Sequence, residues 1–385
     1  MRVEGDWLSA PDSQAVLRML GEGGHRALAV GGCVRNALLG VPVADVDVAT
    51  DARPERVTAL AEAAGLKAVP TGIEHGTVTV VAGGVPHEVT TFRRDVETDG
   101  RRAVVAFSGD VAEDAARRDF TMNALYAEAD GTLVDPLGGL PDLRARRLRF
   151  VGEAEARIRE DALRILRFFR FHAWYGEPGG LDPEGLAACA RLAEGVERLS
   201  AERVGSEMKR LLSAPDPSDA VAAMAAAGVL ARVAPGADAG GLDRLVAVEG
   251  ARVPSWRRRV AAMGGGRLAA AWRLSRGEAR GLELVDRALA EKAPIGEVAH
   301  RHGAEAALDV ALVRTARGEA MPDDLDGALA RAASARLPLR AVDLMPALRG
   351  PALGEALRRA EAAWIASGFA LDRETLRGIA LDRGP

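Results

Sequence analysis

Near the start of the chain, apolar and polar positions fall into the order strand, tight turn, helix, strand. A short apolar run, Ala27 to Val30, ends in Gly31-Gly32. A helix-patterned run follows to Leu39, then a turn at Gly40-Val41-Pro42, then the alternating segment Ala44-Asp45-Val46-Asp47-Val48. Alternation puts Asp45 and Asp47 on one face of that strand and the valines on the other. Upstream, Pro11 to Leu20 reads as a helix. Downstream, a helix starts at Pro54 and runs to about Ala64, and Val78–Val81, Gly83-Gly84 and His87–Thr91 pattern as a β-hairpin. The polar stretch 95–110 reads as a mobile loop. An amphipathic run follows at Phe120, Met122 and Leu125, and a second hairpin is expected between Tyr126 and Asp135. From Glu153 onward the pattern is almost wholly helical. The first helix is expected over Glu153–Trp174, ending at Glu177-Pro178-Gly179-Gly180, with others at Pro183–Glu194, Ala201–Leu212 and Ser218–Ala227.

A chain of 385 residues can bury more than one core. The change of pattern divides it into a sheet-bearing head over 1–150, a helical neck over 151–215 and a helical body and tail over 216–385. No apolar run reaches the length of a membrane span, and the N-terminal residues lack a charged-then-apolar signal. The two cysteines, Cys33 and Cys189, lie far apart and outside any metal-ligand spacing. These features predict a cytoplasmic protein that does not engage a membrane. A net charge of −4 does not mark a nucleic-acid binder, yet arginines cluster at 144–149, 157–170 and 257–259. The third cluster reads as a solvated helix face. His300 and His302 read as surface residues.

Candidate chemistry sits where the glycine pair and the aspartate pair meet. Gly31-Gly32 lets backbone N–H groups approach a phosphate, and the helix behind it favours negative charge. Asp45 and Asp47 on one strand face are close enough to share metal ions. Each motif alone is ordinary: a turn, and a solvated strand end. In this order they describe apparatus for phosphoryl or nucleotidyl transfer. Glu88, on the second hairpin strand, is either a third carboxylate beside them or an edge-strand surface residue. Asp119 reads equally as a helix N-cap.

Asp161 and Arg164 lie three residues apart on a predicted helix, side by side, with Arg167 and Arg170 following. Their plainest reading is an ion pair. A carboxylate beside a guanidinium also matches cytosine and adenine, which both present an amino donor next to a ring-nitrogen acceptor. Uracil and guanine present the reverse order. Leaving such groups unpaired costs about 1–3 kcal/mol each, enough to discriminate without a template.

The stretches GGCVRNALLG…DVD at 31–47, EVTTFRRD at 88–95, RRDFTMNAL at 117–125 and EDALRILRFFRF at 160–171 lie in one order over the first half of the chain. Together they resemble the bacterial class II CCA-adding enzymes, tRNA nucleotidyltransferases of the polymerase-β-like superfamily, whose close relatives include bacterial poly(A) polymerases. The resemblance implies an α+β nucleotidyltransferase head followed by helical neck, body and tail. It also implies addition of CCA to tRNA 3′ ends from CTP and ATP. Carried over residue by residue, it implies that Asp45 and Asp47 hold two Mg²⁺ ions with Glu88 nearby. Gly31, Gly32, Arg35, Arg118, Asp119 and Asn123 would contact the nucleotide, and Asp161, Arg164, Arg167 and Arg170 would read or support the base. The stretch 95–110 matches the family's flexible loop. Asn36 stands where the family usually has Asp, which puts any charge-dependent role there in doubt. A poly(A) polymerase, a partial CC- or A-adding enzyme, or an RNA-binding protein with an inactive head are the alternatives, and a homo-oligomer stays open.

Overall fold

The computed structural model of the protein describes residues 1–99, 102–345 and 347–382. The chain divides into two compact units, Met1–Val233 and Ala234–Pro385. The expected boundary between neck and body at 215/216 falls inside the first unit.

The first unit is built on a seven-stranded mixed sheet. In chain order its strands are β1 (Ala27–Val30), β2 (Asp47–Thr50), β3 (Lys67–Gly72), β4 (Thr77–Ala82) and β5 (Val85–Thr91). After the ribbon strands β6 (Arg93–Asp99) and β7 (Arg102–Phe107) come β8 (Tyr126–Ala127) and β9 (Leu133–Val134). The order across the sheet is β3-β4-β5-β2-β1-β8-β9. Every pairing is antiparallel except β2 with β5, where Asp47 lies opposite Glu88. The helix Pro11–Glu22 starts with proline at its first turn, where a missing N–H costs nothing, and it buries Val16, Leu17 and Leu20. Beneath β1 and β2 the core holds Leu28, Val30, Ala49, Phe92, Ala115, Ala124 and Tyr126.

Three expectations change here. The stretch expected as a loop over 95–110 pairs β6 with β7 as a separate two-stranded ribbon, because valine-rich 102–107 finds a partner in 93–99. Residues 100–101 lie outside the described residues. The run from Phe120 is a single 3₁₀ turn, Thr121–Asn123, whose flanking Phe120, Met122 and Leu125 are fully buried. The helix expected over Glu153–Trp174 is two helices, Ala154–Glu160 and Leu163–Tyr175, separated by Asp161 in extended backbone (φ −152°, ψ 107°). Its own carboxylate accepts the N–H of Leu163, and Asp is a residue that competes with helical bonding in this way.

An aromatic cluster joins the sheet region to the second of these helices. Phe120 packs on Phe150 and Phe171 with ring centroids 5.0 and 5.4 Å apart, and Phe150 stacks on Phe168 at 5.5 Å. Head and neck therefore share one core.

The second unit is helical among its described residues. One core gathers Leu245, Val285, Val310, Leu312 and Leu329, and another gathers Leu344, Trp364 and Leu376. The cluster Arg257–Arg259 is not a solvated face. Arg258 and Arg259 are buried and bond Glu249 and Asp309, which lie on helices distant in sequence. His300 is half-buried, its ring packed on Trp364 and Phe369, whereas His302 is exposed. Among the described residues no helix is long and apolar enough to cross a membrane. Cys33 and Cys189 are both buried and free.

Candidate active site

The carboxylates come first. The ladder of β2 begins only at Asp47, so Asp45 lies just before the strand rather than in it. Alternation still holds: both aspartates are exposed and Val48 is buried. Glu88 lies across from Asp47 on β5, between β4 and β2, so it is not on an edge strand. In a parallel pair, opposed residues project from the same face. Burial, Glu88 and Asp45 all push the Asp47 carboxyl above its usual range, while Arg118 opposes them. Among the described residues no group of three His, Cys, Asp or Glu is arranged as a metal cluster. Two crowded carboxylates fit Mg²⁺, which is held by one or two carboxylates and completes its shell with substrate phosphates and water.

Beside them lies the glycine turn. Gly31 has φ +73°, a conformation that other residues adopt at a cost, and a side chain there would approach the Arg118 guanidinium to 3.2 Å. Arg118 is fixed from behind: its Nε donates to the Tyr126 hydroxyl at 3.0 Å and its Nη2 to Asp114 at 3.1 Å. Burial pushes the Asp114 carboxyl up, but Arg118, Arg117 and the Tyr126 hydroxyl outweigh it and hold Asp114 below its usual range. The Cys33 thiol, one residue past Gly32, is pushed up to about 11 by burial and by Asp47, so it is no nucleophile at neutral pH.

Arg35, on the helix Gly32–Leu39, is buried. Its Nη1 donates to Asn123 Oδ1 at 2.6 Å, and its Nη2 donates to Asn36 Oδ1 and to the Tyr175 hydroxyl, both at 2.8 Å. Asn36 in turn donates to the Pro42 carbonyl at 3.0 Å. Asp119 is not a helix cap. It accepts from the Phe120 N–H, from Asn123 Nδ2 at 3.0 Å and from Arg167 Nε at 2.7 Å. This tie joins the strand-bearing half of the site to the Leu163–Tyr175 helix.

The Arg164 N–H donates to the Asp161 carbonyl at 3.0 Å, but the two side chains bond other partners rather than each other. Asp161 accepts from Arg203 Nη2 at 2.6 Å. Arg164 bonds Glu160 and the Arg157 carbonyl. Arg170 bonds Glu207 at 2.6 Å and lies 4.2 Å over the Phe171 ring. Arg157 bonds the backbone carbonyls of Arg117 and Arg118. Sequence reasoning missed Glu160, Arg203, Glu207 and Tyr175. The spacing of Arg203 and Glu207, one turn apart on an amphipathic helix, is the signal that was available.

Two family models match the chain: the poly A polymerase head domain over residues 27–149, and the probable RNA and SrmB-binding site of polymerase A over 180–240. The Geobacillus thermodenitrificans CCA-adding enzyme is 41% identical over 227 residues, covering 58% of this chain and 54% of that protein. The human mitochondrial CCA tRNA nucleotidyltransferase 1 is 44% identical over 190 residues, covering 49% of this chain and 44% of that protein. These matches span about half the length of the relatives. The solved structure of the Bacillus stearothermophilus CCA-adding enzyme in complex with CTP superimposes with a TM-score of 0.75 at 34% identity, covering 92% of each chain. A Thermotoga maritima CCA-adding enzyme complexed with tRNA shares the fold, with a TM-score of 0.71 at 18% identity over 99% of this chain and 98% of that one. On both its sequence and its fold, the chain belongs to the CCA-adding enzyme family of tRNA nucleotidyltransferases.

Proposed function

We propose that the protein adds CCA to the 3′ end of tRNA without a nucleic-acid template, using CTP and ATP and releasing pyrophosphate. The observation that carries this reading is convergence. Asp47 and Glu88 on adjoining strands, with Asp45 just before the first of them, neighbour the Gly31–Arg35 segment and Arg118, and the Asp119–Arg167 pair links that site to the helix following Asp161. Asp45 and Asp47 would hold Mg²⁺, two ions in all, which would lower the pKa of the attacking hydroxyl and neutralise charge on the leaving pyrophosphate. Gly31, Gly32, Arg35, Arg118 and Asn123 orient the nucleotide's phosphates and sugar. The tRNA 3′ oxygen bonds the α-phosphorus as it loses its proton, with Glu88 the neighbouring carboxylate available to accept it. The bond from the α-phosphorus to the bridging oxygen breaks, and pyrophosphate departs.

Asp161 and Arg164 accept C and A by the donor–acceptor logic given above. Both keep spare capacity for this: a carboxylate accepts more bonds than the two Asp161 makes, and a guanidinium has five N–H donors. Arg203 and Glu160 hold the pair in place, and Glu207 holds Arg170. The second unit grips tRNA. Two buried free thiols suit a cytoplasmic location.

The test is incorporation of labelled CTP and ATP, separately and together, into tRNA ending before CCA, tRNA ending after CC, and a generic oligonucleotide. Addition of C, C and A to tRNA alone is the expected result. Long A tracts on the generic RNA identify a poly(A) polymerase instead. Arrest after CC, or addition of A only, identifies a partial enzyme.

A further inference from the structure

Buried cations in proteins are ordinarily met by carboxylates, because an uncompensated charge out of water is costly. Arg35 departs from this. Its side chain is buried, only 6% exposed, and among the described residues no carboxylate bonds it. Its partners are the amide oxygens of Asn36 and Asn123 and the Tyr175 hydroxyl, all neutral. The Tyr175 ring lies 3.9 Å from the Arg35 guanidinium carbon, and the Phe171 ring lies 5.2 Å from it. The neighbouring Asp119 is bonded to Arg167 rather than to Arg35. Burial lowers the Arg35 pKa, yet a guanidinium stays charged at neutral pH. The cage therefore holds a full positive charge in a fixed direction and leaves it unneutralised.

We propose that Tyr175 is a positioning residue for nucleotide binding, holding Arg35 as a pre-oriented, uncompensated cation for the triphosphate of either CTP or ATP. This rests on the nucleotidyltransferase reading given above. Tyr175 ends the same helix that begins just after Asp161, so it couples the phosphate-binding turn of the head to the base-reading end of the neck. Its ring supplies a cation–π face and its hydroxyl a second hold. Both act on Arg35 and neither touches the base-selecting pair. The Tyr175 ring also packs near Phe171 and Trp174, with ring centroids 5.6 and 6.5 Å away.

The experiment compares wild type, Tyr175→Phe and Tyr175→Leu in the full chain. It measures Kd for CTP and for ATP without primer, then KM and kcat on tRNA, with the melting temperature of each protein. Tyr175→Leu, which loses ring and hydroxyl, is expected to raise Kd and KM about tenfold for both nucleotides with kcat changed less than twofold. Tyr175→Phe keeps the ring and is expected to raise them two- to threefold. Equal loss for CTP and ATP marks an effect on the shared triphosphate rather than on the base. Wild-type Kd and KM in Tyr175→Leu overturn the proposal, as does a loss seen in kcat alone or in step with a fallen melting temperature. Failure of the wild type to bind either nucleotide overturns the underlying functional reading instead.

Discussion

Two sets of buried arginines, one in each compact unit, are held in opposite ways. In the first, Arg35 is bonded by neutral groups, and burial, with Glu88 and Asp45 beside it, pushes the Asp47 carboxyl above its usual range. In the second, Arg258 and Arg259 are as deeply buried, but Glu249 and Asp309 meet them at 2.8–2.9 Å. A closed network of this kind fixes how helices pack and has no charge left over. An open one is held out of balance, and the imbalance is the feature that suits it to a charged ligand. Burial of charge thus goes with structure at Arg258 and Arg259 and with a proposed site at Arg35, and the identity of the partners distinguishes the two.

The largest expected effect tests the open arrangement. Asp47→Ala removes a carboxylate proposed to hold metal and is expected to lower CTP incorporation at least a thousandfold, on the several kcal/mol that a bound metal contributes. Because Asp47 sits in a repulsive cluster, its loss should leave the melting temperature unchanged or raise it. Near-normal turnover, or a protein that melts early, breaks the comparison on this side. The closed arrangement predicts the opposite pattern. Glu249→Ala removes a carboxylate that two buried guanidinium groups share and should cost about 3–5 kcal/mol in denaturant unfolding of the second unit, with CTP affinity unchanged. A loss under 1 kcal/mol means the network is not holding that unit together.

The smallest effect sharpens the comparison within the first unit. Asp114 is a balanced group there, held below its usual pKa by Arg118, Arg117 and Tyr126. A depressed carboxyl adds stability that is complete above its unfolded value, about 3.9, and is lost as pH falls through the lower folded value. Melting temperature should therefore hold between pH 8 and 5 and fall below about pH 4. Asp114→Asn should lower it at pH 7 and flatten that acid decline. An undiminished acid decline in the variant assigns it to other carboxylates.

How much of this was legible in the sequence depends on how far apart the partners lie. The strand–turn–helix opening and the Gly83-Gly84 hairpin rest on neighbours within a few residues, and the structure shows those elements where the pattern places them, while the strand expected to carry both aspartates begins only at Asp47. The break at Asp161 was hidden because helical periodicity continues through it, and a single side chain capping Leu163 is enough to interrupt the backbone. The Arg257–Arg259 cluster was misread for the opposite reason: the carboxylates that meet Arg258 and Arg259 stand 9, 10 and 51 positions away, on other helices. The same is true of Tyr175 with Arg35, separated by 140 residues, and of His300 with Trp364. Short-range chemistry names the candidates; long-range packing decides which of them meet.

The strand order has a temporal consequence. β1 carries the glycine turn, yet its outer neighbour β8 follows almost a hundred residues later, and Asp161 meets Arg203 later still. At about 5–20 residues per second of synthesis, the glycine turn and the aspartate pair leave the ribosome several seconds or more before Asp161 and Arg164, the groups proposed to select the base. A nascent chain paused before residue 160 carries the carboxylates proposed to bind metal without the Asp161–Arg170 stretch. On the proposed roles, base selection is acquired later in synthesis than the metal site.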